Sequence, residues 1–167
     1  MDYIINFASL ALGEYRYEFK VDKTLFLEFK VEEEDILDAD IVFNVLMDKK
    51  EDILTFNFDF NGQIKVLCDR CLEELPLKIK GKDTLYVQFS DKDESYEDDI
   101  LFLPFDEREI DLKQYIYECI YLHIPLRRVH KEGECNENML RLIQEKDDVL
   151  EQEVDVRWEK LKEIKVN

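Results

Sequence analysis

IKVLCDRCLEELPL, residues 64–77, decides how the rest of the chain is read. Ile64, Val66 and Cys68 alternate with Lys65 and Leu67, the period-two pattern of a strand with one face in the core. The run ends in Cys68-Asp69-Arg70-Cys71. Two thiols separated by two residues in a tight turn can both face one ion, so the stretch supplies half of a tetrahedral metal site at a strand end. The other half has to come from elsewhere in the chain.

Upstream, Ile41, Phe43, Val45 and Met47 alternate, as do Leu54, Phe56 and Phe58 after the polar turn DKKED. Both runs read as strands leading into the cysteines. Asp59-Phe60-Asn61-Gly62 then carries a hairpin signal. A two-residue turn at Asn61-Gly62 would set Phe58 opposite Lys65 and split the apolar faces. A three-residue loop of Phe60, Asn61 and a left-handed Gly62 instead pairs Phe58 with Ile64 and Phe56 with Val66, so a bulged hairpin is expected. Nearer the N-terminus, Tyr15, Tyr17 and Phe19 alternate with charged residues, and Leu25, Leu27 and Phe29 repeat the pattern; each predicts a strand. Residues 3–10 are apolar and suit a short strand or helical turn, and VEEEDILDAD, residues 31–40, reads as a solvated acidic connection.

Downstream, LPLKIKG and KDTLYVQFS predict two more strands about Gly81, giving a meander of five or more antiparallel strands. SDKDESYEDDI, residues 90–100, is almost free of apolar side chains and reads as a loop. From Asp111 the period becomes that of a helix. Asp111 stands as a cap with Gln114 at the reciprocal position, and Tyr115, Ile116, Cys119, Ile120 and His123 share a face before Pro125. Asn136 is a candidate cap for a helix carrying Met139, Leu140 and Ile143, and Asp155 for one carrying Trp158, Leu161 and Ile164. The expected fold class is α+β in a single domain over residues 1–167: an antiparallel meander or partly closed barrel over 1–89, an acidic loop over 90–109, and two to three helices over 110–167.

With 23 basic against 41 acidic residues, the 167-residue chain carries a net charge of −18. That balance opposes broad contact with nucleic acid or an anionic membrane, so any nucleic acid contact has to be local or indirect. The apolar segment near the N-terminus follows Asp2 rather than a basic region and runs into strand-like EYRYEFKV, unlike a signal peptide. No run approaches the length of a membrane helix. A reducing cytoplasm is the expected setting, with the four cysteines as thiols or metal ligands rather than disulfides.

IPLRRVHKEGEC, between the first two helices, supplies His130 and Cys135. With Cys68 and Cys71 they make a Cys3His set of the kind that holds structural zinc and would staple the sheet to the helical part. Cys119 and His123 are also one helical turn apart, a spacing open to metal, but on an apolar stripe core packing is the stronger reading. No phosphate-cradling glycine loop and no nucleophile, base and acid arrangement is present, and with only four glycines backbone nests for nucleotides are disfavoured. An enzyme is not expected. A thiol-disulfide oxidoreductase would need a lowered thiol pKa at a helix start, which Asp69, Glu73, Glu74 and Pro76 oppose. A purely structural module that offers its aromatic sheet face to a protein partner stays open.

Three blocks carry a family resemblance. VLCDRCLEELPLKIKG is similar to the strand, C-x-R-C-L-E and following strand of the YceD-like proteins, the large ribosomal RNA subunit accumulation proteins. EIDLKQYIYECIYLHIPLRRVHKEGEC resembles that family's I-D-L helix and its L-P-x-x-P-x-C run, and DVRWEKLKEI resembles its terminal D-P-R-W-x-x-L-x-x-L. The blocks follow one another along the chain in the family's order. The resemblance implies a role in the synthesis, processing or stability of large-subunit (23S) ribosomal RNA, without a recognised catalytic centre. It also implies a Cys3His variant of a four-ligand site, with His130 near a position where many members carry cysteine and Cys135 near the next. A glycine-rich cysteine run found in some members is missing, and Val156 replaces the proline of the terminal motif.

A zinc knuckle would bring Arg70, Arg127, Arg128 and Lys131 together as an RNA-binding patch. The same arginines can instead pair with some of the many acids. The acidic surface suggests a second mode, in which the protein holds a basic large-subunit ribosomal protein and acts on RNA indirectly. No membrane or DNA partner is expected.

Overall fold

The computed structural model describes residues 3–29, 36–91, 95–97 and 100–152. Along these run β1 (Ile4–Asn6), β2 (Gly13–Asp22), α1 (Lys23–Glu28), β3 (Asp38–Lys49), β4 (Ile53–Leu67), β5 (Glu74–Ser90), β6 (Ser95–Glu97), β7 (Ile100–Pro104), β8 (Glu109–Asp111), α2 (Lys113–Leu122) and α3 (Glu137–Gln152). The architecture is α+β.

The main sheet has the order β2-β3-β4-β5-β7-β6, so its end strands do not meet and no barrel closes among the described residues. β2 to β5 form an antiparallel meander of four strands, fewer than the five or more expected. β7 then pairs with β5 in parallel, and β6 returns antiparallel to β7. Residues 90–109, expected as a loop, thus supply two strands to the sheet, because Leu101 and Leu103 give that segment apolar side chains to bury against β5. β1 and β8 form a separate two-stranded ribbon.

Two expected turns are absent. β4 runs without interruption from Ile53 to Leu67, and the bulged hairpin at Phe60, Asn61 and Gly62 does not form. Every even position from Leu54 to Cys68 except Gly62 is buried, and Phe60 is wholly so. An unbroken strand keeps that parity as well as the bulge does, and burying Phe60 favours the strand. Gly62 faces Ile41 across the pair, where a Cβ would lie 2.3 Å from the Asp40 carbonyl oxygen; close strand approach, not a turn, requires the glycine. β5 likewise passes straight through Gly81, where a Cβ would lie 2.6 Å from both the Phe60 Cζ and the His123 ring.

Leu25, Leu27 and Phe29 do not make the expected strand. The Asp22 carboxylate accepts from the Thr24 backbone N–H at 2.9 Å and from its hydroxyl, capping α1, so that Leu25 and Phe26 turn together into the core and Leu27 is exposed. The acidic connection is also shorter than expected, since β3 begins at Asp38 with Ala39 buried. α1 and α2 cover the inner face of the sheet. Phe29 stacks on Tyr117 at 4.4 Å, Tyr115 packs on Phe58 at 4.8 Å, and Phe43 lies parallel to Phe60 at 5.0 Å. Asp111 accepts from the Lys113 N–H at 2.9 Å, while the reciprocal Gln114 side chain turns to Glu118. The helix expected around Trp158 lies outside the described residues. No helix among the described residues is long and apolar enough to cross a membrane.

Candidate metal centre

The β4–β5 hairpin ends at the pair Leu67 and Glu74, and the cysteines occupy its tip. The Cys68 N–H donates to the Glu73 carbonyl at 2.8 Å and the Leu72 N–H to the Cys68 carbonyl at 2.9 Å, which curls the turn so that both thiols point inward. Leu72 pays for this tight turn with a φ of 59°, a left-handed conformation that costs a branched side chain about 1–2 kcal/mol.

The second half of the site arrives on the segment between α2 and α3, held to the tip by a reciprocal clamp. The Asp69 N–H donates to the Arg128 carbonyl at 2.7 Å, the Arg128 N–H to the Asp69 carboxylate at 2.6 Å, and the Arg128 Nε to the same carboxylate at 3.2 Å. Asn136 caps α3 as its sequence position predicts, accepting from the Asn138 N–H at 2.9 Å, and its amide donates to Glu73. Between these two fastenings lie His130 and Cys135.

Cys68, Cys71, His130 and Cys135 converge, with no pair of donor atoms more than 4.8 Å apart. Cys71 Sγ lies 3.4 Å from His130 Nδ1, and Cys135 Sγ lies 4.0 Å from both Cys68 Sγ and His130 Nδ1. A tetrahedron with Zn–S of about 2.3 Å and Zn–N of about 2.0 Å needs S···S near 3.8 Å and S···N near 3.5 Å. The S···N separations straddle the required value, and the Cys68–Cys135 separation lies slightly above its own. All four cysteines are free thiols, and the three in the cluster are buried.

His130 Nε2 lies 3.2 Å from the Glu74 carbonyl oxygen. A carbonyl only accepts, so Nε2 carries the hydrogen and the Nδ1 lone pair is left for the cluster, the orientation a ligating histidine takes from its outer partner. Burial raises the Cys68 thiol, but backbone N–H groups of Cys71, His130 and Arg70 aimed at its sulfur outweigh that and bring it down to about 6. The Asn136 N–H does the same for Cys71, lowering it. Burial, reinforced by those two sulfurs, pushes Cys135 up, and the Cys68 sulfur raises His130. Cys68 and Cys71 are thus shifted toward the thiolate form and Cys135 away from it, a conflict that a divalent cation at their centre would relieve. Donor type, number, spacing and outer partners all fit tetrahedral zinc.

The candidate RNA residues are placed around this cluster by chain adjacency. Arg70 lies between the two hairpin cysteines, Lys131 follows His130, and Arg127 precedes Arg128. Arg128 is committed to Asp69, as the pairing alternative anticipates, whereas Arg70, Arg127 and Lys131 make no ion pair among the described residues. Cys119 and His123 stay apart from the metal donors. Cys119 is buried, its S–H directed at Asp83 at 3.6 Å, and His123 Nδ1–H donates to the Cys119 carbonyl at 2.7 Å. The clamp residue Asp69 escaped the sequence reading as a partner of the second segment, although its place inside the C-x2-C turn was the available signal.

All four donors fall within residues 56–165, the span over which the chain matches the family model described as Large ribosomal RNA subunit accumulation protein YceD. No curated protein and no solved structure matches it. With the matched span taking in β5, α2, both halves of the cluster and most of β4, the chain belongs to the YceD family.

Proposed function

We propose that this protein is a non-catalytic factor in the accumulation of large-subunit (23S) ribosomal RNA, acting in the cytoplasm, with a structural zinc that fixes the RNA-facing end of the molecule. The observation that carries the reading is the convergence of Cys68, Cys71, His130 and Cys135 from two segments about sixty residues apart, in a chain of the YceD family. Bound there, zinc would serve as a cross-link rather than a source of reactive water, because protein donors take all four positions. A cross-link between the hairpin tip and the α2–α3 segment holds Arg70, Arg127 and Lys131 at one end of an otherwise acidic protein, where their local charge can meet phosphate.

The test is depletion of the protein in its host, with 23S RNA measured against 16S RNA and rescue by wild type or by Cys71→Ser. Rescue by wild type alone is expected. A normal 23S level on depletion, or full rescue by Cys71→Ser at equal protein abundance, would contradict the reading. In vitro, Arg70→Glu with Arg127→Glu should weaken RNA binding about tenfold or more while zinc is retained. Unchanged RNA binding would shift the role to the holding of a basic ribosomal protein.

A further inference from the structure

The outer face of the main sheet carries both signs on β2, where Glu14, Glu18 and Asp22 alternate with Arg16 and Lys20, and acids at Asp38, Asp40 and Asp48 on β3, whereas β5 presents Lys78, Lys80 and Lys82 at alternate positions, which puts all three on the same side about 6.7 Å apart. The register sets Gln63 beside Lys78, Asn61 beside Lys80, Asp59 beside Lys82 and Asn57 beside Thr84, and the same alternation continues to Tyr86, which is 44% exposed. Lys65 stands on this face of β4. Lys82 reaches Asp59 at 2.9 Å and Lys65 reaches Glu74 at 3.1 Å, both exposed pairs that hold their partners weakly. Lys78 and Lys80 make no ion pair among the described residues.

The surface is grooved, not flat. One hollow of about 760 Å³ is lined by Arg16, Asn44, Asn57, Lys82 and Thr84 among others, and a second of about 560 Å³ by Asp40, Asn61, Gln63, Lys78 and Lys80. β7 pairs only with Tyr86–Ser90, so among the described residues no strand pairs with the flank of β5 from Leu75 to Leu85, beside the lysine row. Protection of that open edge against pairing would be served by a single lysine. It does not account for three lysines on one face beside a row of amides, ending in an exposed aromatic ring.

We propose that the outer face of β4 and β5 is a track for single-stranded RNA, in which Lys78 and Lys80 hold successive phosphates, Asn57, Asn61 and Gln63 meet base edges and Tyr86 stacks a base. The chemistry is that of single-strand binders generally, a positive path with a stacking platform. Charge complementarity selects the occupant: in a chain of net charge −18, β5 sets three lysines in one row along which an anion can run. The inference rests on the ribosomal RNA reading and adds to it a second contact, made by the lysines of β5 rather than by the arginines near the cluster.

The experiment is fluorescence anisotropy of a labelled short single-stranded RNA with the full zinc-loaded protein across a salt series. Lys78→Glu/Lys80→Glu is compared with Lys23→Glu/Lys50→Glu, which changes net charge equally at exposed sites elsewhere, and with Arg127→Glu/Lys131→Glu. Both outer lysines point away from the core, so zinc content and Tm should be unchanged in the first variant. Its affinity should fall at least tenfold relative to the charge control, with the salt slope reduced by about 1.4 for two lost phosphate contacts. Tyr86→Ala should weaken binding about tenfold without altering that slope. Binding by Lys78→Glu/Lys80→Glu equal to the charge control, with loss only in Arg127→Glu/Lys131→Glu, would overturn the track and leave the ribosomal RNA reading standing. No RNA bound by wild type even at low salt would overturn the track and direct RNA contact together, and point to a basic protein as the partner.

Discussion

α2 and the β4–β5 hairpin tip both place cysteine beside histidine, and the two regions give these residues opposite chemistry. On α2, burial and the Asp83 carboxylate push the Cys119 thiol up to about 12, and His123 spends its Nδ1–H on a carbonyl while its ring packs edge-on to Phe60 at 5.0 Å. At the hairpin tip, backbone N–H groups turn toward the Cys68 sulfur and the Glu74 carbonyl fixes His130 with its Nδ1 lone pair facing inward. Cysteine and histidine are therefore arranged as a candidate ligand set where the backbone supplies donors to the sulfurs and an acceptor to the far ring nitrogen. On an apolar helix face the same pair is core.

The largest expected effect separates these regions directly. Cys71→Ser should abolish zinc retention and lower stability by at least about 3 kcal/mol, read as a Tm reduced by roughly 10 °C. Strong chelator should do the same to wild type and nothing further to the variant. An unchanged Tm in both cases would erase the distinction between the two sites.

Next in size is a change on the core side. A Cβ at Gly81 meets Phe60 Cζ and the His123 ring at 2.6 Å, and the Phe60 ring is wholly buried. Gly81→Ala should cost about 2 kcal/mol, with zinc content unaltered. Loss of zinc in this variant would show that α2 packing and the cluster are one unit.

The hairpin tip offers the mirror experiment. Leu72 is 61% exposed and held at a φ of 59°, so Leu72→Gly removes strain with little loss of packing and should raise Tm by about 2 °C. A fall in Tm would mean that the Leu72 side chain contributes contacts which outweigh its backbone.

The smallest effect is a pH slope. The Cys119 thiol is raised above its ordinary value of 9.0 toward about 12, so the folded state holds a proton that the unfolded state releases. Its contribution is complete below pH 9 and is lost as pH rises toward 12. Denaturant midpoints of wild type should fall more steeply over that interval than those of Cys119→Ala, and parallel slopes would contradict the assignment.

The four donors were legible because C-x2-C at a strand end is a local signal and His130 and Cys135 were the soft or borderline ligands left outside a helix face. Chain length within the sheet was not. Asn61-Gly62 and Gly81 carry the residues of turns, yet each glycine is there because another part of the molecule comes too close for a Cβ, a reason that lies 20 or more residues away in the sequence. Unbroken parity across both glycines was the better signal, since Leu54 through Cys68 and Leu75 through Val87 never change face. α1 was misread because Leu25, Leu27 and Phe29 fit a strand period, while the capping Asp22 and the adjacent buried pair Leu25 and Phe26 belong to a helix. The Asp69–Arg128 clamp joins residues 59 positions apart, and its one local trace is the place of Asp69 inside the C-x2-C turn.

The most direct test of the central claim is zinc per chain in protein purified without chelator, for wild type, Cys135→Ser and Cys119→Ser. One zinc in wild type and in Cys119→Ser, and none in Cys135→Ser, is the predicted result. Four titratable thiols with no metal in wild type, or equal zinc in wild type and Cys135→Ser, would contradict it.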